Sequence, residues 1–278
     1  MSFRGNPQAS KKLVAITVPL STRKELTEDE QISLRHLVHY LGKYDKYLVV
    51  PDNMTVAYPG FMVKPFSRRF FGSVEAHTRL MLSPRFYEAF AEYKYILMYH
   101  PDALVFSDQL LEWCATDLDY IGAPWLVCDD APWVKRSQVG NGGFSLRKVE
   151  SFLKVLYSRA YAIDPARYWQ ETYASKPRSV RYLNWPKRYL KRLRAFNGVR
   201  WQTFRWQAVT GRHDDHFWSW RGPHYYPEFK IADVPTGLRF AFEMVPRLCF
   251  ELNNRRLPFG CHAWPVYDRE FWEPYLLK

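Results

Sequence analysis

The chain has 278 residues, long enough for a sizeable core, and its hydrophobic share of 47% is ordinary for a globular protein. The formal net charge of +12 is uneven: no acidic residue stands between Thr172 and His213, a stretch holding Lys176, Arg178, Arg181, Lys187, Arg188, Lys191, Arg192, Arg194, Arg200, Arg205 and Arg212, so the remainder is near neutral and a generally basic nucleic-acid binder is not required. No run approaches the roughly 18 apolar residues that span a bilayer, and Cys114, Cys128, Cys249 and Cys261 show no CxxC spacing, which argues against a disulfide framework or zinc site and reads as reduced thiols of a cytosolic protein.

Residues 1–12 read as a flexible lead. Lys11-Lys12 faintly resembles the start of a signal peptide, but no small-residue cleavage site follows. Leu13–Leu20, rich in β-branched Val14, Ile16, Thr17 and Val18, reads as a buried strand. Thr27 and Glu30 make a capping box, and the helix behind it carries Leu34, Leu37, Val38 and Leu41 on one face with Gly42 as a stop. Tyr47–Val50 is a second strand, closed by Pro51-Asp52. Strand, helix, strand opens a βαβ unit and implies a parallel sheet. Phe61–Phe66 reads as a third strand, and Ser73–Phe90 as helix that Pro84 breaks or restarts. Tyr95–Tyr99 is a central strand, apolar throughout because both faces are covered. Asp102 then lies just past its carboxyl end, where open α/β sheets place ligands. Ser107 can cap a helix at Asp108–Ala115, and Tyr120–Trp125 is a short strand leading to a loop.

The most informative run is Val139-Gly-Asn-Gly-Gly-Phe-Ser-Leu-Arg147. Three glycines in four positions are costly in a packed core and mark backbone that bends sharply or lies against a ligand. Val149, Phe152, Leu153 and Leu156 follow at helical spacing, so the run reads as a loop entering a helix. Downstream, His213-Asp214-Asp215-His216-Phe217-Trp218 supplies two more carboxylates. Together these features suggest a sugar-nucleotide site. The aromatic share of 18% suits stacking on sugars and bases, although core filling is the commoner use. In the basic segment, Pro186 sits at a helix start, and from Lys187 to Phe196 the apolar Tyr189, Leu190, Leu193 and Phe196 oppose the cations. Trp185, Trp201, Phe204 and Trp206 flank them. This is the pattern of an amphipathic helix lying in a membrane interface or against anionic glycolipid; the alternatives are a solvated helix packed on its own domain and, least favoured, a nucleic-acid contact.

Six segments in order carry a family resemblance: Leu80–Tyr87, Tyr95–Phe106, Asp119–Trp125, Gly140–Arg147, Asp214–Ser219 and Pro258–Trp264. Across about residues 13–275 the chain resembles bacterial GT-A-type glycosyltransferases, in particular a polysaccharide-cluster family long without an assigned function. The resemblance implies an α/β fold: one GT-A-like domain whose Rossmann-like, mostly parallel central sheet is flanked by helices, with a basic helical insertion at about 165–212. Residues 13–125 would hold the donor and 126–278 the acceptor and the catalytic groups. It also implies a nucleotide-sugar donor, a UDP-sugar as first expectation, and a saccharide or glycolipid acceptor. The setting would be bacterial surface polysaccharide or lipopolysaccharide synthesis, in the cytoplasm or peripheral on the inner face of its membrane.

Many members of this superfamily bind a divalent metal through Asp-x-Asp. Here the matching residues are His100-Pro101-Asp102, so the first carboxylate is missing and His100 is a softer ligand. A hard ion such as Mn²⁺ or Mg²⁺ neutralises a leaving diphosphate. Asp102 is its candidate holder and His262, by analogy, a second ligand; imidazole favours Mn²⁺. The plain alternative for Asp102 is a strand-end turn residue, and for His262 a packed histidine beside Trp264.

An acceptor hydroxyl must also lose a proton to a carboxylate within hydrogen-bond reach. Asp215 is the candidate base, with inversion as the outcome, and Asp214 orients sugar hydroxyls. An N-terminal helix pair is the plain alternative. The Asn141-Gly142-Gly143 turn would bring backbone amides to the donor, and Arg147 would stabilise diphosphate. Thr17, Val18 and Pro19 end the first strand near base and ribose; Asp52 and Arg79 are further donor contacts. A catalytically inactive carbohydrate-binding relative is the competing reading. A sugar-nucleotide pyrophosphorylase is disfavoured because Thr17–Arg23 lacks glycine.

Overall fold

The computed structural model describes residues 11–20, 22–23, 25–210 and 213–277; most of the expected N-terminal lead, and Arg212, lie outside them. The chain begins β1 (Lys12–Pro19), α1 (Glu28–Leu41), β2 (Asp45–Pro51), β3 (Met62–Phe66). The capping box forms as read: Thr27 Oγ1 accepts from the Glu30 amide at 3.2 Å, and the Glu30 carboxylate accepts from the Thr27 amide at 2.7 Å. Leu34, Leu37 and Leu41 are buried, but Val38 is exposed and His36 turns inward instead. His36 can be buried because Nδ1 meets Val105 O at 3.0 Å and Nε2 accepts from the Leu277 amide at 2.9 Å.

Pro84 separates α2 (Val74–Met81) from α3 (Pro84–Glu88), as proline at a helix start does. β4 (Tyr93–Tyr99), β5 (Leu104–Val105) and α4 (Leu110–Ala115) follow. α4 starts later than read: Gln109 is its N-cap, and Ser107 Oγ donates to Gln109 Oε1 instead of capping. Next come β6 (Tyr120–Gly122), β7 (Pro124–Trp125), β8 (Gln138–Val139), β9 (Phe144–Lys148) and α5 (Val149–Leu156). The glycine run therefore enters a strand, not a helix. β9 escapes a periodicity reading because Phe144, Ser145, Leu146 and Arg147 are all buried, which erases any alternation.

The basic segment forms α6 (Pro165–Tyr173), α7 (Arg178–Leu183), α8 (Trp185–Leu190), α9 (Arg194–Asn197) and α10 (Val199–Thr210). The expected continuous helix from Lys187 to Phe196 does not form. Leu193 is extended, at φ −92° and ψ 123°, and divides it. The chain closes with α11 (Asp214–Tyr225), α12 (Val234–Phe240), β10 (Ala241–Phe242), α13 (Pro246–Leu252), β11 (Gly260–Cys261) and α14 (Arg269–Trp272).

The six-stranded sheet has the order β3-β2-β1-β4-β9-β6. β1 to β4 are parallel, and β9 runs antiparallel between β4 and β6. On one face α1 covers Val14, Ile16, Val18 and Leu97; on the other, Phe86, Phe152 and Trp218 cover Ala15, Ile96 and Met98. Burial on both faces explains the uninterrupted apolar runs. A second sheet, β10-β11-β5, ties the C-terminal segment to the end of β4, with Cys261 opposite Leu104. That pairing brings residue 262 beside residue 102; the Trp264 amide donates to Asp102 O at 3.2 Å. All four cysteines are free, and among the described residues no helix is long and apolar enough to cross a membrane.

Candidate active site

A cleft of about 740 Å³ opens at the carboxyl ends of β1 and β4. One wall carries His100, Asp102 and His262, and another carries Asp214 and Asp215 at the start of α11, with Asn141, Gly142 and Gly143 among the lining residues. These are the residues that the sequence placed in one site, brought together from four separate segments.

His262 Nε2 lies 3.3 Å from Asp102 Oδ1, and its Nδ1 lies 2.8 Å from Glu243 Oε1. One ligand atom from each of His100, Asp102 and His262 falls within 4.8 Å of the others, the spacing of a divalent-ion site. Burial alone would lower the His262 pKa, but Asp102 and Glu243 raise it to about 10. Burial works to raise the Asp102 carboxyl, yet the adjacent His262 and His100 hold it well below the usual carboxylate range. Burial drives His100 well below its ordinary 6.5, helped by His77, whose Nε2 lies 3.2 Å from His100 Nε2. Neutral His100 and ionised Asp102 are the protonation states a metal requires.

The glycines serve close approach, not a left-handed bend. Among the described glycines only Gly60 and Gly72 have positive φ. A Cβ on Gly143 would sit 2.1 Å from His262 Nε2, and one on Gly140 would sit 2.2 Å from the Trp125 ring. Asn141 Oδ1 accepts from the Gly143 and Phe144 amides at 3.1 and 3.2 Å, which fixes the turn. The Gly143 amide is thus already used, whereas the Gly142 amide makes no hydrogen bond among the described residues.

The adjacent aspartates face different surroundings. Asp214 is buried and pairs with Arg147 Nη2 at 3.2 Å. Asp215 faces the cleft, and its Oδ1 accepts from the His216 amide at 2.7 Å and from His216 Nδ1 at 2.8 Å. The His216 ring stacks on Trp125 with centroids 4.3 Å apart. Burial raises the Asp215 pKa above 3.8, and neighbouring Asp214 adds to this.

Several expectations are overturned. Arg147 is fully buried and does not line the cleft: its guanidinium donates to Asp214, to Tyr87 OH at 3.0 Å, to Gly142 O at 3.1 Å and to Ser145 Oγ at 3.0 Å. It stands in a central strand, where such saturation is what permits burial of a charge. Thr17 and Val18 are sealed inside the sheet, Thr17 Oγ1 bonding to Leu97 O at 3.3 Å; only Pro19 of that strand end reaches the cleft. Asp52 lies on an exposed turn off the cleft, accepting from the Arg68 amide at 3.3 Å. Arg79, exposed on α2, donates to Arg69 O at 3.0 Å and is also off the cleft.

Sequence reasoning missed His77, His216 and Glu243. Glu243 carried a usable signal: it ends the run Phe240-Ala-Phe242 as a carboxylate, just as Asp102 follows Tyr95–Tyr99. No comparable spacing marks His77.

Similar solved structures include a glycosyltransferase involved in glycosylation of the major capsid of PBCV-1, at TM-score 0.44 and 10% identity, covering 95% of this chain and 98% of that one. The galactosyltransferase LgtC, in complex with donor and acceptor sugar analogues, gives 0.43 and 12%, over 89% and 86%. The apo-form glycosyltransferase GlyE of Streptococcus pneumoniae TIGR4 gives 0.45 and 14%, over 96% of this chain and 60% of that one. No curated protein matches the sequence. The profile of a family described as "Protein of unknown function (DUF5672)" matches residues 60–262, and the chain belongs to that family.

Proposed function

We propose that this protein is a metal-dependent GT-A-like glycosyltransferase that moves a sugar from a nucleoside-diphosphate sugar to a hydroxyl of a saccharide or glycolipid. One observation carries the reading: a His-Asp-His ligand set and a separate, cleft-facing carboxylate share one cleft at the carboxyl edge of the sheet, with Gly142 and Gly143 between them. Residues 13–125 supply Pro19, His100 and Asp102, and residues 126–278 supply Asp215, Glu243 and His262. Bacterial surface polysaccharide synthesis, and a UDP-sugar as first donor to try, rest on the motif resemblance.

The donor set suits Mn²⁺ better than Mg²⁺, because two of its three members are imidazoles. Glu243 accepts the His262 Nδ1 proton and so directs Nε2 towards Asp102, as carboxylate-backed histidine ligands do. When bound, a divalent ion supplies countercharge for the departing diphosphate.

The chain's own residues do the rest. Oδ1 of Asp215 is held by His216, which leaves Oδ2 to receive the acceptor's hydroxyl proton. The acceptor oxygen then bonds to the anomeric carbon as the bond from that carbon to the diphosphate oxygen breaks. Nucleoside diphosphate leaves, and attack opposite the leaving group inverts the centre. Asp214, paired with Arg147, positions the start of α11 and thereby Asp215. The Gly142 amide is left to meet the donor.

The test is incubation with a panel of nucleotide sugars and Mn²⁺, scored for bound and released nucleotide. Release from at least one donor supports transfer. Binding without release from any donor replaces the reading with that of an inactive carbohydrate-binding relative.

A further inference from the structure

The basic segment has no role in the chemistry above, yet its surface is unusual. Tyr182 and Leu183 are 82% and 78% exposed, and Tyr189, Leu190, Leu193 and Phe196 are each at least 40% exposed. Exposed apolar side chains in such density on a monomeric surface mark an interaction site. Among the described residues, no basic side chain from Lys176 to Arg205 pairs with a carboxylate. The interior of the segment is nonetheless built: Trp169 is buried, packs edge-on against Trp185 at 5.6 Å, and receives the Arg188 guanidinium over its ring at 5.8 Å. The exposed side chains therefore stand on a packed base and are not the core of a failed fold.

We propose that the face formed by α7, α8 and α9 docks on an anionic lipid bilayer, its apolar side chains entering the headgroup region and its cations meeting lipid phosphates. Charge decides the occupant. A second copy of the chain would set two uncompensated positive faces against each other. A polyanion such as RNA would satisfy the cations but leave Leu183, Leu190 and Leu193 in contact with charge. An anionic bilayer accommodates both chemistries at once. In sequence the segment precedes α11, whose first turn carries Asp214 and Asp215. The inference stands apart from the proposed transfer reaction, because vesicle binding needs neither donor nor metal.

The test is co-sedimentation of the whole protein with vesicles of phosphatidylcholine alone or with roughly a third phosphatidylglycerol, at low and high salt. Two variants separate the contributions: R181E/K187E/R192E for charge, and L183S/L190S/L193S for insertion. Thermal melting of each variant shows whether it folds. The expected result is partitioning onto the anionic vesicles only, weakened by salt and reduced about tenfold or more by either variant with unchanged melting. Absence of partitioning, equal binding to neutral vesicles, or binding that survives both variants would overturn it. So would tighter binding to a random RNA than to the anionic vesicles.

Discussion

Arg147 Nη2 lies 3.2 Å from Asp214 Oδ2, and both side chains are withdrawn from solvent. The contact joins β9 to the first turn of α11 and leaves the next residue, Asp215, facing the cleft. The two adjacent carboxylates thus have different surroundings: one is paired with a cation in the interior, the other faces the cleft.

Removing the cation alone should therefore damage the fold more than removing the pair. Arg147→Met leaves a buried, uncompensated Asp214, and we expect about 3–5 kcal/mol of destabilisation in denaturant unfolding. Adding Asp214→Leu should restore much of that loss while turnover stays low, because Asp215 has lost its support. An Arg147→Met protein as stable as the wild type would contradict the pairing.

Asp215 should show the opposite balance. Burial raises its pKa in the fold above its unfolded value, so the folded state holds more protons than the unfolded one between those two values. Stability from this group is accordingly lost as pH rises through that window, and at pH 7 the ionised carboxylate is a net cost. Asp215→Asn should melt at a higher temperature than wild type near neutral pH, with the difference vanishing below about pH 4. Transfer should fall about 10²–10⁴-fold while nucleotide affinity holds. The wild-type rate should fall on the acid side at a pH above 3.8, where the base takes up its proton. A destabilised, fully active Asn variant would remove Asp215 from the role.

Ion binding should release a proton. His262 carries one up to about pH 10 because Asp102 and Glu243 stand against it, and a metal must displace that proton from Nε2. Apparent Mn²⁺ affinity should rise about tenfold per pH unit from 6 to 9. Calorimetry in two buffers of different ionisation enthalpy should count one proton per ion. Glu243→Gln should weaken binding about 10–100-fold by freeing the imidazole. A pH-independent affinity would mean that the ion, if it binds, does not use His262.

The two central glycines should differ in tolerance. A Cβ at Gly143 falls 2.1 Å from His262 Nε2, whereas one at Gly142 meets its nearest neighbour, Arg147 Nη2, at 3.1 Å. Gly143→Ala should displace the imidazole and abolish Mn²⁺ binding, and Gly142→Ala should retain it with a lesser loss. Equal metal binding in both variants would contradict the close approach.

Much of the fold was legible because β1, β2 and β4 are continuous apolar runs and α1 opens on a capping box; these are local signals. The candidate cleft was legible from a carboxylate closing an apolar run at Asp102, a glycine cluster at Gly142 and Gly143, and an acidic pair at Asp214 and Asp215; all five line it. What escaped depends on distant partners. Arg147 looks like a free cation until Tyr87 and Asp214, from other segments, are seen to enclose it. Thr17 and Val18 do stand at the end of β1, as read, but neighbouring strands and helices bury both side chains, which the run itself does not reveal. His36 took the inward position expected of Val38 because Val105 and Leu277, remote in sequence, satisfy its ring. The long basic helix was over-read because the apolar spacing through Leu193 gives no sign of the extended residue that breaks it.

Whether Asp102 and Asp215 divide metal-linked donor binding from proton removal is measured by calorimetric titration of a nucleoside-diphosphate sugar, with and without Mn²⁺, into wild type, Asp102→Ala and Asp215→Asn, with transfer assayed on the same samples. Binding should depend on Mn²⁺ in wild type and Asp215→Asn and be lost in Asp102→Ala, and transfer should occur in wild type alone. Binding that ignores both Mn²⁺ and the Asp102 substitution, or transfer that persists in Asp215→Asn, would contradict that division.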